Sequence, residues 1–188
     1  MKSNIEQFRI FDLVFFSVLA MVSEIMGEIL HLQFTGAGFY LSFSVLVAFI
    51  AIVRWDEFGV IVMIVAGLPM IILGPNIILH NIIMYPIANS FIIFTALVIK
   101  RVDKEDLIED PLKLLGIVLL AYLSVSLGKT FGLLLIGDSF IKGGVIYFTS
   151  QLFNILMTYI VALLLRNRQG LLVDMKTLFE RANLEEKL

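Results

Sequence analysis

The chain has 188 residues, 60% of them hydrophobic and only 16% charged, with a mean hydropathy of +0.99 and a formal net charge of −2. Apolar runs of about 20 residues, the length that crosses a ~30 Å hydrocarbon core, follow one another with short charged breaks, so an all-α integral membrane protein with no soluble domain is expected. Cysteine is absent, which excludes disulfides, thiolate metal sites and a cysteine nucleophile.

Residues 1–10 are a short polar lead carrying Lys2 and Arg9, with Ser3 and Glu6 at capping-box spacing, expected to lie on the membrane surface. The first apolar run, 11–32, has no small-residue cleavage site after it and is read as a true first span rather than a removed signal. A glycine-containing loop, Gln33 to Gly38, leads to a second span at about 39–53, and Arg54 to Glu57 make a tight charged turn into a third at 58–73. The fourth span, 77–99, contains Pro86 and should kink there. Lys100 to Asp110 is the longest charged connection and reads as a solvated loop. Pro111 sits where the first turn of a helix tolerates proline, opening a fifth span at 111–128. Lys129 to Gly144 reads as a glycine-rich loop before the sixth span, 145–165. A six-helix membrane domain, 1–166, is thus followed by a tail, 167–188, in which Leu171, Leu172, Met175, Leu178 and Phe179 recur at helical spacing among charges. Six spans place all fourteen basic residues except Lys129 and Lys142 on one side, so both termini are expected in the cytoplasm of a multi-pass cell-membrane protein.

The spans are unevenly polar along their length. Glu24, Glu28 and His31 fall within roughly 60° of one another at the outer end of the first span, and ionised groups at mid-membrane cost about 2.5–3.5 kcal/mol each. His80, Asn81, Tyr85 and Asn89 follow on the outer part of span four, and Ser124, Ser126 and Lys129 end span five. Tyr147, Gln151, Asn154 and Thr158 form one stripe on span six. The convergence points to a pocket opening outward, the alternative being that these groups satisfy one another as structural glue. Phe34, Tyr40 and Tyr147 are the candidate ring-stacking residues; two carboxylates against the single nearby cation Lys129 point to a cationic or strongly donating ligand. The inner halves look almost free of polar residues. Small residues Ser17, Ala20, Ser23 and Gly27 on the first span offer close approach to another helix, either a docked partner or a neighbour in the bundle.

Enzymatic readings fail on their motifs. Gly128-Lys129-Thr130 lacks the first glycine of a phosphate loop, Leu123 standing in its place, and Gly137-Asp138-Ser139 has no positioned histidine. Glu28 and His31 have Glu-x-x-His spacing, but His80 has Ile77 where a second glutamate belongs, which argues against a di-iron centre. A mononuclear cation site from Glu24, Glu28, His31 and His80 stays open.

The stretch GFYLSFSVLVAFIAIVRWDEFGVIVMIVAGLP, Gly38 to Pro69, resembles the second and third helices of substrate-binding S components of energy-coupling factor transporters, and the tail LLVDMKTLFERANLEEKL is similar too. That family docks through an Ala-x-x-x-Ala pattern in its first helix; the matching positions here are Ser17 and Met21, so the pattern is only partly reproduced. The resemblance implies capture of a vitamin or related micronutrient from outside and delivery by docking on a transmembrane T component with two ATPase subunits. It implies no catalysis by this chain, and no cofactor, resident metal or nucleic-acid partner is expected. The alternatives are a non-transporting scaffold of the rod-shape-determining type and a divalent-cation uptake subunit.

Overall fold

The structure, a computed structural model, describes residues 2–33, 41–74, 76–137, 140–166 and 171–179. Regular structure among them is entirely helical. Four stretches are long and apolar enough to cross a membrane: Ile5–Gln33, Ser44–Leu73, Ile78–Ile99 and Pro111–Ile136. The pair Gly144–Ser150 and Leu152–Arg166, bent by 44°, makes a fifth if it counts as one span.

Helix α1 (Lys2–Gln33) is unbroken, so the N-terminal lead is not a separate surface piece. No glycine or proline occurs before Gly27, and nothing stops the helix between the lead and the apolar run. Leu13, Phe16, Ser17, Ala20, Glu24 and Gly27, spaced by three or four residues, form its buried stripe, whereas Val14, Val18, Met26 and Leu32 face outward. Helix α2 (Ser44–Trp55) is buried over all 12 residues, which is why it is apolar all round. It packs against α1 and against α3 (Val60–Ala66).

The apolar stretch Ser44–Leu73 is not one rod. At Asp56 the backbone takes φ 54° and ψ −133°, and the 3-10 turn Asp56–Gly59 reverses the chain. Gly59 then lies so close to α2 that a Cβ there would be 2.3 Å from the Ile52 nitrogen. After α3, i→i+3 hydrogen bonds from Gly67 and Leu68 tighten the helix before α4 (Met70–Leu73). The next arm starts with α5 (Ile78–Ile82) and passes through a π-helical turn, Ile83–Ile87, around Pro86. It continues through a 3-10 turn, Ser90–Ile92, to α6 (Ile93–Ile99). Proline supplies no N–H, and the π turn absorbs the interruption it makes in the hydrogen-bond ladder.

Residues 100–110 are not the solvated loop expected of their charge. Asp103 accepts from Glu105 N at 3.0 Å and starts a short helix, α7 (Lys104–Glu109), which buries Lys104, Leu107 and Ile108. Asp110 in turn caps α8 (Pro111–Ile136), accepting from Leu112 N at 2.9 Å, with Pro111 in the first turn. That helix runs eight residues beyond Gly128, so Lys129 to Ile136 are helical rather than loop; the stop is Gly137, left-handed at φ 84°. The last arm is α9 (Phe140–Ser150) and α10 (Leu152–Arg166), broken at Gln151. The Tyr147–Thr158 stripe therefore spans two helices, not one.

The first arm, the 56–59 reversal, α7 and residues 171–179 meet at one pole. There Lys104 Nζ lies 2.6 Å from Asp56 Oδ1 and 3.0 Å from Asp174 Oδ2, and Lys176 also donates to Asp56. Asp12 Oδ2 accepts from Arg54 Nε and Trp55 Nε1, both at 2.7 Å. This end of the bundle, which the sequence pattern made look nearly apolar inside, holds a dense ionic network. Leu172 and Met175 are buried on it, so the described part of the amphipathic tail packs against the bundle.

Candidate functional site

At the opposite pole the chain enters α2 through an irregular segment, residues 41–43, that is tied down by side chains from two other arms. Ser42 Oγ donates to Glu24 Oε2 at 2.6 Å and lies 3.0 Å from Ser44 Oγ. Phe43 N donates to Ser23 Oγ at 2.7 Å, and Ser42 N to Asn154 Oδ1 at 3.3 Å. Asn154 Nδ2 donates to Gln151 Oε1 at 2.6 Å. Backbone outside a helix cannot satisfy itself, and inside an apolar bundle only polar side chains can take its hydrogen bonds.

These groups surround a cavity of about 30 Å³ walled by Glu24, Ser42, Ser44, Asn89, Tyr122 and Lys129, with Tyr147 and Gln151 at its margin. That is room for one or two waters. The wall carries both signs of charge. The Lys129 ammonium stands 4.6 Å from the centroid of the Tyr85 ring and 5.7 Å from that of Tyr147, a cation–π cradle. Among the described residues it makes no ion pair within 4.0 Å.

Asn89 is the most constrained member. It is fully buried, and its Nδ2 donates to the Met63 carbonyl at 3.1 Å. A Cβ on Gly67 would sit 3.0 Å from that same nitrogen, so α3 presses on the amide from one side. Turning the amide over would set Oδ1 against the Met63 carbonyl, acceptor against acceptor. The side chain therefore has one orientation, and in it Oδ1 has no donor among the described residues. Two helix interruptions adjoin the wall: the π turn just before Asn89 and the break at Gln151. Interrupted helices at such a depth hinge more readily than continuous ones.

The structure gathers Glu24, Lys129, Tyr147 and Gln151 of the sequence-predicted residues at the cavity, with Tyr85 and Asn154 directly behind. Phe34 and Tyr40 lie outside the described residues. Glu28, His31 and His80 are not in the wall. Asn81 is a structural residue: its Nδ2 donates to the carbonyls of Ile71, Gly74 and Asn76, and its Oδ1 accepts from Asn76 N. It closes the turn between α4 and α5. Sequence reasoning noted Ser126 and Asn89 without assigning them to the site; the wall adds Ser42 and Ser44, and Tyr122, whose hydroxyl lies 2.7 Å from Thr158 Oγ1, was missed. Tyr122 is flanked by apolar residues, and only the facing Thr158 explains it.

Ser17, Ala20 and Gly27 are buried against the bundle and Ser23 is engaged by Phe43 N, so this face of α1 packs inside the bundle. No group of three or more His, Asp or Glu side chains among the described residues is placed to hold a metal ion, which leaves the Glu24, Glu28, His31 and His80 cation site without its geometry. Glu28 lies outside the wall, so Glu24 is the carboxylate that lines the cavity beside Lys129.

Fold and site together define a helical bundle of membrane character with a small, charged cavity near one pole. Comparison with protein-family models, with curated proteins and with solved structures finds no match to this chain.

Proposed function

We propose that the protein is a membrane-embedded solute-binding subunit of the S-component type, with six spans and cytoplasmic termini. It takes up a vitamin or similar micronutrient from the extracellular side and delivers it by docking on a T component with its ATPases. The observation that carries the reading is the cavity, where Glu24, Lys129, Asn89 and two serines converge around one shared space inside the bundle. Polar groups in a membrane interior are costly, and a set of them around a shared space is what a binding site requires. The concentration of basic residues at the ionic pole favours cytoplasmic placement of that end, so the cavity faces outward. A solute larger than two waters enters by parting of the wall at the Pro86 and Gln151 interruptions.

The test is direct. Native mass spectrometry of the full chain extracted from its own membranes should reveal a bound small molecule, and the chain alone in proteoliposomes should bind that solute without accumulating it. Accumulation by the isolated chain overturns the subunit reading, and a protein that binds no solute is better described as a scaffold.

A further inference from the structure

Resting on the solute-binding reading, we infer that the cavity selects a zwitterionic solute of the amino-acid class, its anionic end on Lys129 and its donor end on Asn89 and Glu24. Three observations lead there. Lys129 presents an ammonium whose described contacts are two aromatic rings, leaving its N–H donors without an oxygen acceptor among the described residues. Asn89 presents an acceptor that cannot turn away and has no donor among the described residues. Glu24, 4% exposed and bonded to Ser42, fixes a negative charge in the same wall.

Asn89 Oδ1, a buried acceptor, needs a donor, and Lys129 can donate to an acceptor; a solute with both kinds of group serves the two together in place of the one or two waters the cavity can hold. Charge decides between the classes. A purely cationic solute meets the Lys129 ammonium, and a purely anionic one meets the Glu24 carboxylate; either like-charge encounter is unfavourable. A zwitterion adds no net charge and can oppose each wall group with its complement. The small cavity further favours a compact solute.

Equilibrium binding to the full chain in nanodiscs, first with the twenty protein amino acids and then with one-charge analogues, tests this. The analogues are the decarboxylated amine and the deaminated acid of the best-bound amino acid; thiamine and pantothenate serve as cationic and anionic comparators. At least one amino acid should bind, and each one-charge analogue should bind at least about tenfold more weakly, the loss of a charge-assisted hydrogen bond. Lys129→Gln should weaken the amino acid and strengthen its amine analogue, a reversal that a misfolded variant cannot produce. Asn89→Leu should weaken the amino acid and the amine while leaving the deaminated acid within about threefold. Equal binding of amino acid and analogues, or no change of preference in Lys129→Gln, overturns the inference. Binding of thiamine or pantothenate with no amino acid bound overturns it while the solute-binding reading stands; binding of no probe of any class counts against both.

Discussion

Replacing Gly59 by alanine tests the central feature of the fold, because the two ways of arranging Ser44–Leu73 predict opposite signs. In a continuous helix, alanine is the better residue, and the substitution should stabilise by about 0.5–1 kcal/mol. In the reversed chain, the new methyl would stand 2.3 Å from Ile52 N, 2.5 Å from the Ala51 carbonyl carbon and 2.6 Å from Ile52 Cα. Ordinary carbon contacts begin at about 3.5 Å, so α3 must withdraw by roughly 1 Å. None of the three obstructing atoms belongs to a side chain that can rotate away, and α2 is buried along its whole length, so it cannot yield either. Overpacking of this kind costs about 1–3 kcal/mol, and the upper end is expected here. Gly116→Ala is the internal control: nothing lies within 4 Å of a Cβ there, on the exposed side of α8, and it should be neutral or slightly stabilising. Thermal unfolding of the three proteins in one detergent reads the difference. A Gly59→Ala protein as stable as the wild type, or more so, would refute the hairpin.

Glu24→Gln should lower solute affinity by about tenfold or more, since a charge-assisted hydrogen bond is worth about 1.5–3 kcal/mol, whereas Glu28→Gln should stay within about threefold; titration calorimetry giving equal losses would contradict the composition of the wall. Asp12→Ala removes the carboxylate shared by Arg54 and Trp55 and should cost about 3–5 kcal/mol in chemical unfolding, because the 7% exposed Arg54 side chain loses its ion-pair partner; Asp12→Leu combined with Arg54→Met should recover most of it. Asp174→Ala breaks one of the contacts that hold residues 171–179 to Lys104 and should speed amide exchange over 175–179 without altering solute binding; unchanged exchange would show that Leu172 and Met175 alone retain the segment.

Membrane character, the helix start at Asp110–Pro111, the interruption at Pro86 and the polar concentration around Glu24, Lys129 and Gln151 could all be read from the order of residues. Each rests on local chemistry: a cap, a missing N–H, or a charge too costly to leave in lipid. The reversal at Asp56 was marked by its charged turn, but the close approach at Gly59 was not, because a lone glycine in an apolar run signals nothing until its neighbour in space is known. The same applies to span five, where Gly128 and Lys129 look like a loop, yet the helix continues to Ile136; a Cβ on Gly128 would be 2.1 Å from the Ala88 carbonyl oxygen, so the residue is there for packing.

What residue order alone determined was therefore which groups must be hidden from lipid and roughly where the helices break. Which partner each group received was decided only by the packed bundle. Asn81 and Asn89 lie eight residues apart on one helical stripe and look equivalent by periodicity, yet Asn81 closes a turn while Asn89 is held by Met63 and Gly67 at the edge of a cavity. Lys104, in a run whose composition is that of a solvated loop, is buried because Asp56 and Asp174, distant in sequence, arrive on either side of it. Burial of a polar group is a property of its surroundings: the sequence states the cost of hiding it, and only tertiary contacts between distant segments supply the opposite charge or hydrogen bond that offsets that cost.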